Sequence, residues 1–201
     1  MRSGDGVLLT AHGTVERDED LPAFLQRIRR GRPAPDEIVA EVRHRYQRIG
    51  GSPLLRITRE QAAALEARLG VPVLVGMRLW SPSIESAIAE GRARGVTRLC
   101  SLPLAPQSVH VYHEAVRAAA GDLPVVEAPA WGNEPALLDA FSERIDEAIA
   151  RLPEAARATA PLVLSAHSLP TRILAMGDPY ERDFRAMCDA LVARRGEPRE
   201  V

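Results

Sequence analysis

The sequence predicts an α/β fold built on a mostly parallel, doubly wound sheet. Short apolar runs alternate with longer stretches of helical period, and the connections between them are short. The apolar runs are nearly continuous in Val, Leu and Ile, as strands covered on both faces of a parallel sheet must be.

Five runs read as strands: Gly6–His12, Val71–Met77, Thr97–Leu102, Leu123–Glu127 and Leu162–Ala166. Between them, helices are expected around Leu21–Arg30 and Asp36–Ile49. "TREQAAALEARLG" opens on Thr58, carries Gln61 three residues on as a capping box, and stops at Gly70. "SPSIESAIAEGRARG" offers Ser81 as N-cap, Pro82 at the first helical position and Gly95 as terminator. "NEPALLDAFSERIDEAIARL" places Leu137, Leu138, Phe141, Ile145 and Ile149 on one face, and a last helix is expected around Arg182–Arg194. The least regular stretch is Ala128–Pro135. The expected division is 1–105 for an N-terminal α/β half and 106–201 for a second.

A chain of 201 residues with 46% hydrophobic content is long enough to bury a core. No apolar run has the length of a membrane span, and "MRSGDG" lacks the layout of a signal peptide. Lys and Arg (26) balance Asp and Glu (27), so the charge excess of a nucleic-acid binder is missing. Cys100 and Cys188 have no metal-type spacing and suit a reducing cytoplasm.

Two stretches echo each other: "VLLTAHGT" near the start and "LVLSAHSL" far downstream. Each ends a strand-like run on a histidine, His12 and His167. Ligands of open α/β sheets bind beyond the carboxyl ends of strands, so two such ends make a candidate site. The plainer alternative is a tight turn, with Gly13 supplying the backbone angles. "QRIRRGRP" gathers Arg27, Arg29, Arg30 and Arg32, which reads either as a solvated helix end or as a carboxylate grip. "VHVYHEAV" sets His110 and His113 one helical turn apart, a spacing open to a metal pair but also to an ordinary helix. Met77, Trp80 and Trp131 read as core or cleft lining, and Glu127 as a ligand or a capping carboxylate. No nucleotide-binding or nucleophile-elbow motif occurs.

"YQRIGGSPLLRITREQAAALEARLG", "VGMRLWSPSIESAIAEG", "LPLAPQ" and "LSAHSLPTRILAMGDPY" together resemble the ferrochelatases, which insert ferrous iron into a porphyrin. The resemblance runs from Val7 to about Tyr180 and is most specific at Ser165–Pro170 followed by Gly177–Tyr180; "RIRRGRP" is closer to the coproporphyrin-using branch. It implies two similar Rossmann-like, chelatase-type halves, with parallel sheets flanked by helices and the second half incomplete, around a porphyrin cleft. His167 matches the family's metal-site histidine. His12 falls where coproporphyrin-type relatives carry a tyrosine, and would face His167 across the macrocycle. Arg29 and Arg30 are expected near the propionates, Arg78 and Trp80 at the cleft rim, and Ser52 and Tyr112 among the porphyrin contacts. Departures from the family pattern are a glycine missing before Ser52 and a contracted loop at Ser108–His110. The family's second metal-site residue, a glutamate, lies beyond the present C-terminus.

Metallation needs two pyrrole protons removed and iron delivered from a site that releases it. An imidazole, with an ordinary pKa near ~6.5, accepts a proton at cellular pH, and ferrous iron lies low in the divalent affinity order. The expected function is therefore insertion of Fe2+ into protoporphyrin IX or coproporphyrin III in haem biosynthesis. Iron is expected as substrate, with no tightly bound cofactor. Two alternatives remain: a non-catalytic porphyrin or haem binder, and a cobalt or sirohydrochlorin-type chelatase. The expected partners are porphyrin and iron, without nucleic acid or a transmembrane segment. Self-association through an unpaired sheet edge and a cytoplasmic location complete the expectations.

Overall fold

The computed structural model describes residues 2–169 and 171–195. Four strands pair side by side in the order β2-β1-β3-β4, all parallel: β1 (Asp5–Ala11), β2 (Val73–Met77), β3 (Arg98–Pro103) and β4 (Val125–Glu127). The helices along the chain are α1 (Leu21–Ile28), α2 (Asp36–Arg48), α3 (Leu54–Leu69), α4 (Ile84–Ala93), α5 (Val109–Ala120), α6 (Pro135–Ala150), α7 (Glu154–Arg157), α8 (Thr171–Ala175) and α9 (Tyr180–Arg195). The α/β class and the parallel sheet are those the apolar runs predict.

The chain divides into two compact units. The first holds the residues to Ala105 together with Val109–Pro129, and the second holds Pro106–Ser108 with the described residues from Ala130 onward. In the first, every residue of β1 is buried, and alternate side chains serve opposite faces. Leu8 joins Leu74, Leu99, Ile84, Ile88 and Val116, under α4 and α5. Val7 and Leu9 join Val73 and Ala62 beneath α3. Helices on both faces explain why the centre of β1 and β2 is a continuous apolar run. At the amino end, Asp5 accepts from Arg98 Nε and Nη2 at 2.8 and 2.9 Å, which ties β1 to β3.

Two helix starts differ from the sequence reading. α3 begins at Leu54, and Thr58 sits inside it with its hydroxyl donating to the Leu54 carbonyl at 2.8 Å. Apolar Leu54 and Leu55 pack on Ala11 and Met77, and that burial outweighs the capping signal further on. α4 is capped by Ser83, whose hydroxyl accepts from Ser86 N–H at 3.2 Å, and not by Ser81. The Pro82 carbonyl is taken by the Met77 N–H at 2.7 Å, so Pro82 runs along β2 instead of opening the helix.

The second unit is helical among the described residues. Leu138, Met187 and Leu191 form its buried cluster, with Leu137, Ile145 and Leu164 packed against them. Phe141, placed on the inner face by the helical period, is 42% exposed. The run Leu162–Ala166 forms no strand. Leu162 and Leu164 are half-buried and Val163 is 78% exposed, so the period-two pattern is present without a ladder. A strand exists only through hydrogen bonds to a neighbour, and the described residues of this unit supply none.

Candidate active site

Three strand exits converge at the carboxyl edge of the first unit's sheet. Past the last ladder pair, Arg78 N–H donates to the Ala11 carbonyl and Leu79 N–H to the His12 carbonyl, both at 2.9 Å. Leu104 N–H donates to the Thr10 carbonyl at 2.8 Å. His12 is thereby held beside the segment that carries Arg78 and Trp80, and both His12 and Arg78 are exposed. Gly13 has φ 98°, and a Cβ there would lie 2.9 Å from the Trp80 nitrogen and 3.1 Å from the Trp80 Cβ. Gly13 supplies the backbone angle expected of it, although residues 12–15 form no turn, and glycine is needed because the two exits touch through it.

Trp80 is half-buried against the cluster of Val15, Leu21 and Phe24. Its ring meets Phe24 edge-on, with centroids 5.7 Å apart at 78°, and Arg27 lies over it with Cζ 5.0 Å from the centroid. Phe24 and Arg27 are three residues apart on α1, so one helix face presents both to the indole. The sequence places Arg27 in the basic cluster, a solvated helix end or a carboxylate grip, without an aromatic partner. Its i, i+3 spacing from Phe24 is the signal that bears on this contact.

Arg29 and Arg30 follow the last turn of α1 and are exposed. The Gly31 N–H donates to the Gln26 carbonyl at 2.9 Å, closing a C-terminal cap in which Arg30 takes φ 55°. Glycine is the usual residue for that left-handed position; an L-residue with a Cβ there costs about 1–2 kcal/mol. Among the described residues, Arg27, Arg29, Arg30 and Arg78 have no carboxylate within 4.0 Å. Unspent guanidinium forks grouped in this way are suited to carboxylates.

Ser52 is half-buried, and its hydroxyl accepts from Leu54 N–H at 3.4 Å, where α3 starts against the ends of β1 and β2. Tyr112 is only 7% exposed. Burial pushes its phenol pKa up, and the nearby charge of Arg78 partly opposes that. His113, 3% exposed, is a structural residue and is not paired with His110 on a metal: its Nε2 donates to the Ala128 carbonyl at 2.9 Å, and its Nδ1 accepts from the Ser101 hydroxyl at 2.8 Å. Glu127 pairs with Arg117.

His167 lies in the second unit, exposed, in the segment that follows Leu164. It borders a hollow of about 560 Å³ walled by Leu174, Phe184 and Cys188, with Glu181 and Asp189 at its charged side. Glu181 is bound to Arg185 at 2.9 Å. Burial raises the Cys188 thiol pKa. Pro170, in the quoted "SLP" motif, lies outside the described residues. Among the described residues no group of three or more His, Cys, Asp or Glu side chains converges as a metal site. None of the described helices is long and apolar enough to cross a membrane.

A family model described as Ferrochelatase matches residues 4–201. The ferrochelatase of Acidobacterium capsulatum is 36% identical over 89% of this chain and 57% of its own length. The coproporphyrin III ferrochelatase of Anoxybacillus flavithermus is 35% identical over 95% of this chain and 65% of its own length. That of Bacillus subtilis is 36% identical, covering 87% and 61% respectively. The chain thus spans less than two thirds of the length of these curated relatives.

Proposed function

The chain belongs to the ferrochelatase family, and from that premise we propose that it takes part in inserting ferrous iron into a porphyrin that carries propionates, protoporphyrin IX or coproporphyrin III. Fe2+ enters as substrate. As iron bonds to the four ring nitrogens, the two pyrrole N–H bonds break and two protons leave, one to a protein base and one to solvent. In this reading His167 accepts a pyrrole proton on its unprotonated ring nitrogen and stands first in line to the metal. His12 takes part from the exit of β1. Arg29, Arg30 and Arg78 neutralise propionates, and Trp80 supplies apolar rim surface. Ser52 and Tyr112 enter as supports of the strand exits. A single imidazole is a weak trap for ferrous iron, which suits delivery over storage.

The observation that carries this reading is the end of α1. Arg30 keeps a strained backbone angle that glycine would relieve, beside an exposed Arg29, and neither is spent on a carboxylate of its own unit. Strain of this kind persists where surroundings or function require it.

The test is anaerobic incubation of the chain with Fe2+ and porphyrin, following the loss of free-base fluorescence. His167→Ala is expected to slow insertion by roughly 10²–10⁴-fold, the usual contribution of a positioned acid or base, with porphyrin affinity kept within about threefold. Turnover at the unaltered rate in that variant sinks the assignment. Binding without any insertion by the unaltered chain leaves the non-catalytic binder. A cytoplasmic setting fits this chemistry, since Cys100 and Cys188 are both unpaired thiols. Self-association through an unpaired sheet edge belongs to the same proposal, and a monodisperse monomer by light scattering would end it.

A further inference from the structure

We propose that Arg27, lying over the indole of Trp80, is a preorganised carboxylate-binding residue that makes this chain prefer porphyrins with more peripheral carboxylates. The inference rests on the porphyrin reading above and names a determinant of its specificity.

Four observations converge on it. First, position: Trp80 follows the carboxyl end of β2 and touches Gly13 at the carboxyl end of β1, the edge at which open α/β sheets take their ligands. Second, order: the indole meets Phe24 edge-on, and the backbone nitrogen and Cβ of Trp80 lie close against Gly13, so Arg27 rests over a residue held at both ring and root. A free arginine loses rotamer freedom when it binds, and one already stacked on a ring loses less. Third, placement: Arg27 Cζ lies over the indole at 5.0 Å from its centroid, a contact that uses no N–H of the guanidinium, so these donors remain for a planar, bidentate partner.

Fourth, vacancy of charge: Arg27 has no carboxylate within 4.0 Å among the described residues. The acidic group that feels it is Glu85. That carboxyl lies below its usual range chiefly because the Ser83 hydroxyl and its own backbone N–H bond to it, with Arg27 contributing least. Glu85 is therefore satisfied elsewhere, and the fork of Arg27 is left for an incoming carboxylate. Arg29 and Arg30 lie past the helix end without an aromatic platform, so Arg27 is the more rigid of the three.

The experiment titrates the full chain with coproporphyrin III (four propionates), protoporphyrin IX (two) and coproporphyrin III tetramethyl ester (no free carboxylate), for the unaltered chain, Arg27→Met, Arg27→Lys and Trp80→Leu. Methionine keeps an apolar stem over the ring while losing the fork. Arg27→Met is expected to weaken coproporphyrin III about tenfold and protoporphyrin IX less than about threefold, with the ester and the thermal midpoint unchanged. Arg27→Lys recovers part of the loss, because charge returns without bidentate geometry. Trp80→Leu, which removes the platform, falls between Arg27→Met and the unaltered chain. Equal affinity of Arg27→Met and the unaltered chain for coproporphyrin III overturns the inference and leaves the porphyrin reading standing. A uniform loss for all three ligands with a lowered midpoint also overturns it, assigning Arg27 a packing role alone. Failure of the unaltered chain to bind any of the three removes both.

Discussion

The two units handle apolar sequence in opposite ways. In the first, "VLL" of β1 is sealed between β2 and β3 and roofed by helices on both faces; Leu8 is wholly inaccessible. In the second, "LVL" at Leu162–Leu164 has the same composition, yet Val163 is 78% exposed and no ladder forms. The difference lies in the neighbours, not in the residues. Hydrophobic content creates a demand for burial, but a strand also needs another backbone to satisfy its N–H and C=O groups. Where partners exist, the run becomes the centre of a sheet. Where the described chain provides none, Leu162 and Leu164 are only half-covered, Leu164 against the cluster of Leu138, Met187 and Leu191.

Several measurements would break or sharpen that contrast. The largest effect is expected from Leu8→Ala, which hollows the sheet's centre and should cost about 3–5 kcal/mol. Leu191→Ala, in the smaller cluster of the second unit, should cost about 2–3 kcal/mol. Trp80 belongs to the first unit and Trp131 to the second. Urea titrations in Trp80→Phe and Trp131→Phe backgrounds would therefore report on each unit separately. Equal costs would erase the distinction.

A gain is expected from Arg30→Gly: about 1 kcal/mol of stability, since the left-handed angle is no longer strained, together with weaker porphyrin binding. A variant both stabler and equally good at binding would remove the functional reason for that arginine.

Asp5→Asn tests the tie between β1 and β3. Arg98 and the Arg2 N–H hold the Asp5 carboxyl at about 2, against an ordinary 3.8. A lowered pKa means the folded state favours the ionised form. The stabilisation is present at neutral pH and fades as pH falls from about 4 through about 2. The deficit of Asp5→Asn should fade over the same interval, read by chemical denaturation at stepped pH; a pH-independent deficit contradicts it. The counterpart in the second unit, Arg194 with Asp139, is exposed on both sides and should contribute little. Smallest of all, Val163→Lys should change stability by less than about 0.5 kcal/mol, as for other exposed sites. A loss above about 1 kcal/mol would mean the segment is paired in solution.

Much of the first unit is legible in the sequence because its signals are local. Runs of Val and Leu mark β1 and β2, Leu99 and Leu102 with small residues between them mark β3, and α1, α2 and α9 begin and end within a few residues of their expected bounds. Thr58 and Ser81 misled because each has the chemistry of a cap without its location: packing of Leu54 and Leu55 extended one helix backward, and the Met77–Pro82 bond kept the other from starting early. In the first unit, His12 is visible as a strand-end histidine and Arg29 and Arg30 as a basic cluster; His167 reads the same way in sequence, but the run before it forms no strand. That Arg27 differs from its neighbours is not written locally. It depends on a tryptophan some fifty residues further along, brought over by the β1–β2 pairing.

Gly13 is where a single carbon atom would reach furthest. A methyl group there has nowhere to go except into the backbone of Trp80, so lengthening that side chain would drive the two loop roots apart. Tilting the indole would tip the cation resting on it. Gly13→Ala would thus detune ligand preference from a residue that need never touch the ligand.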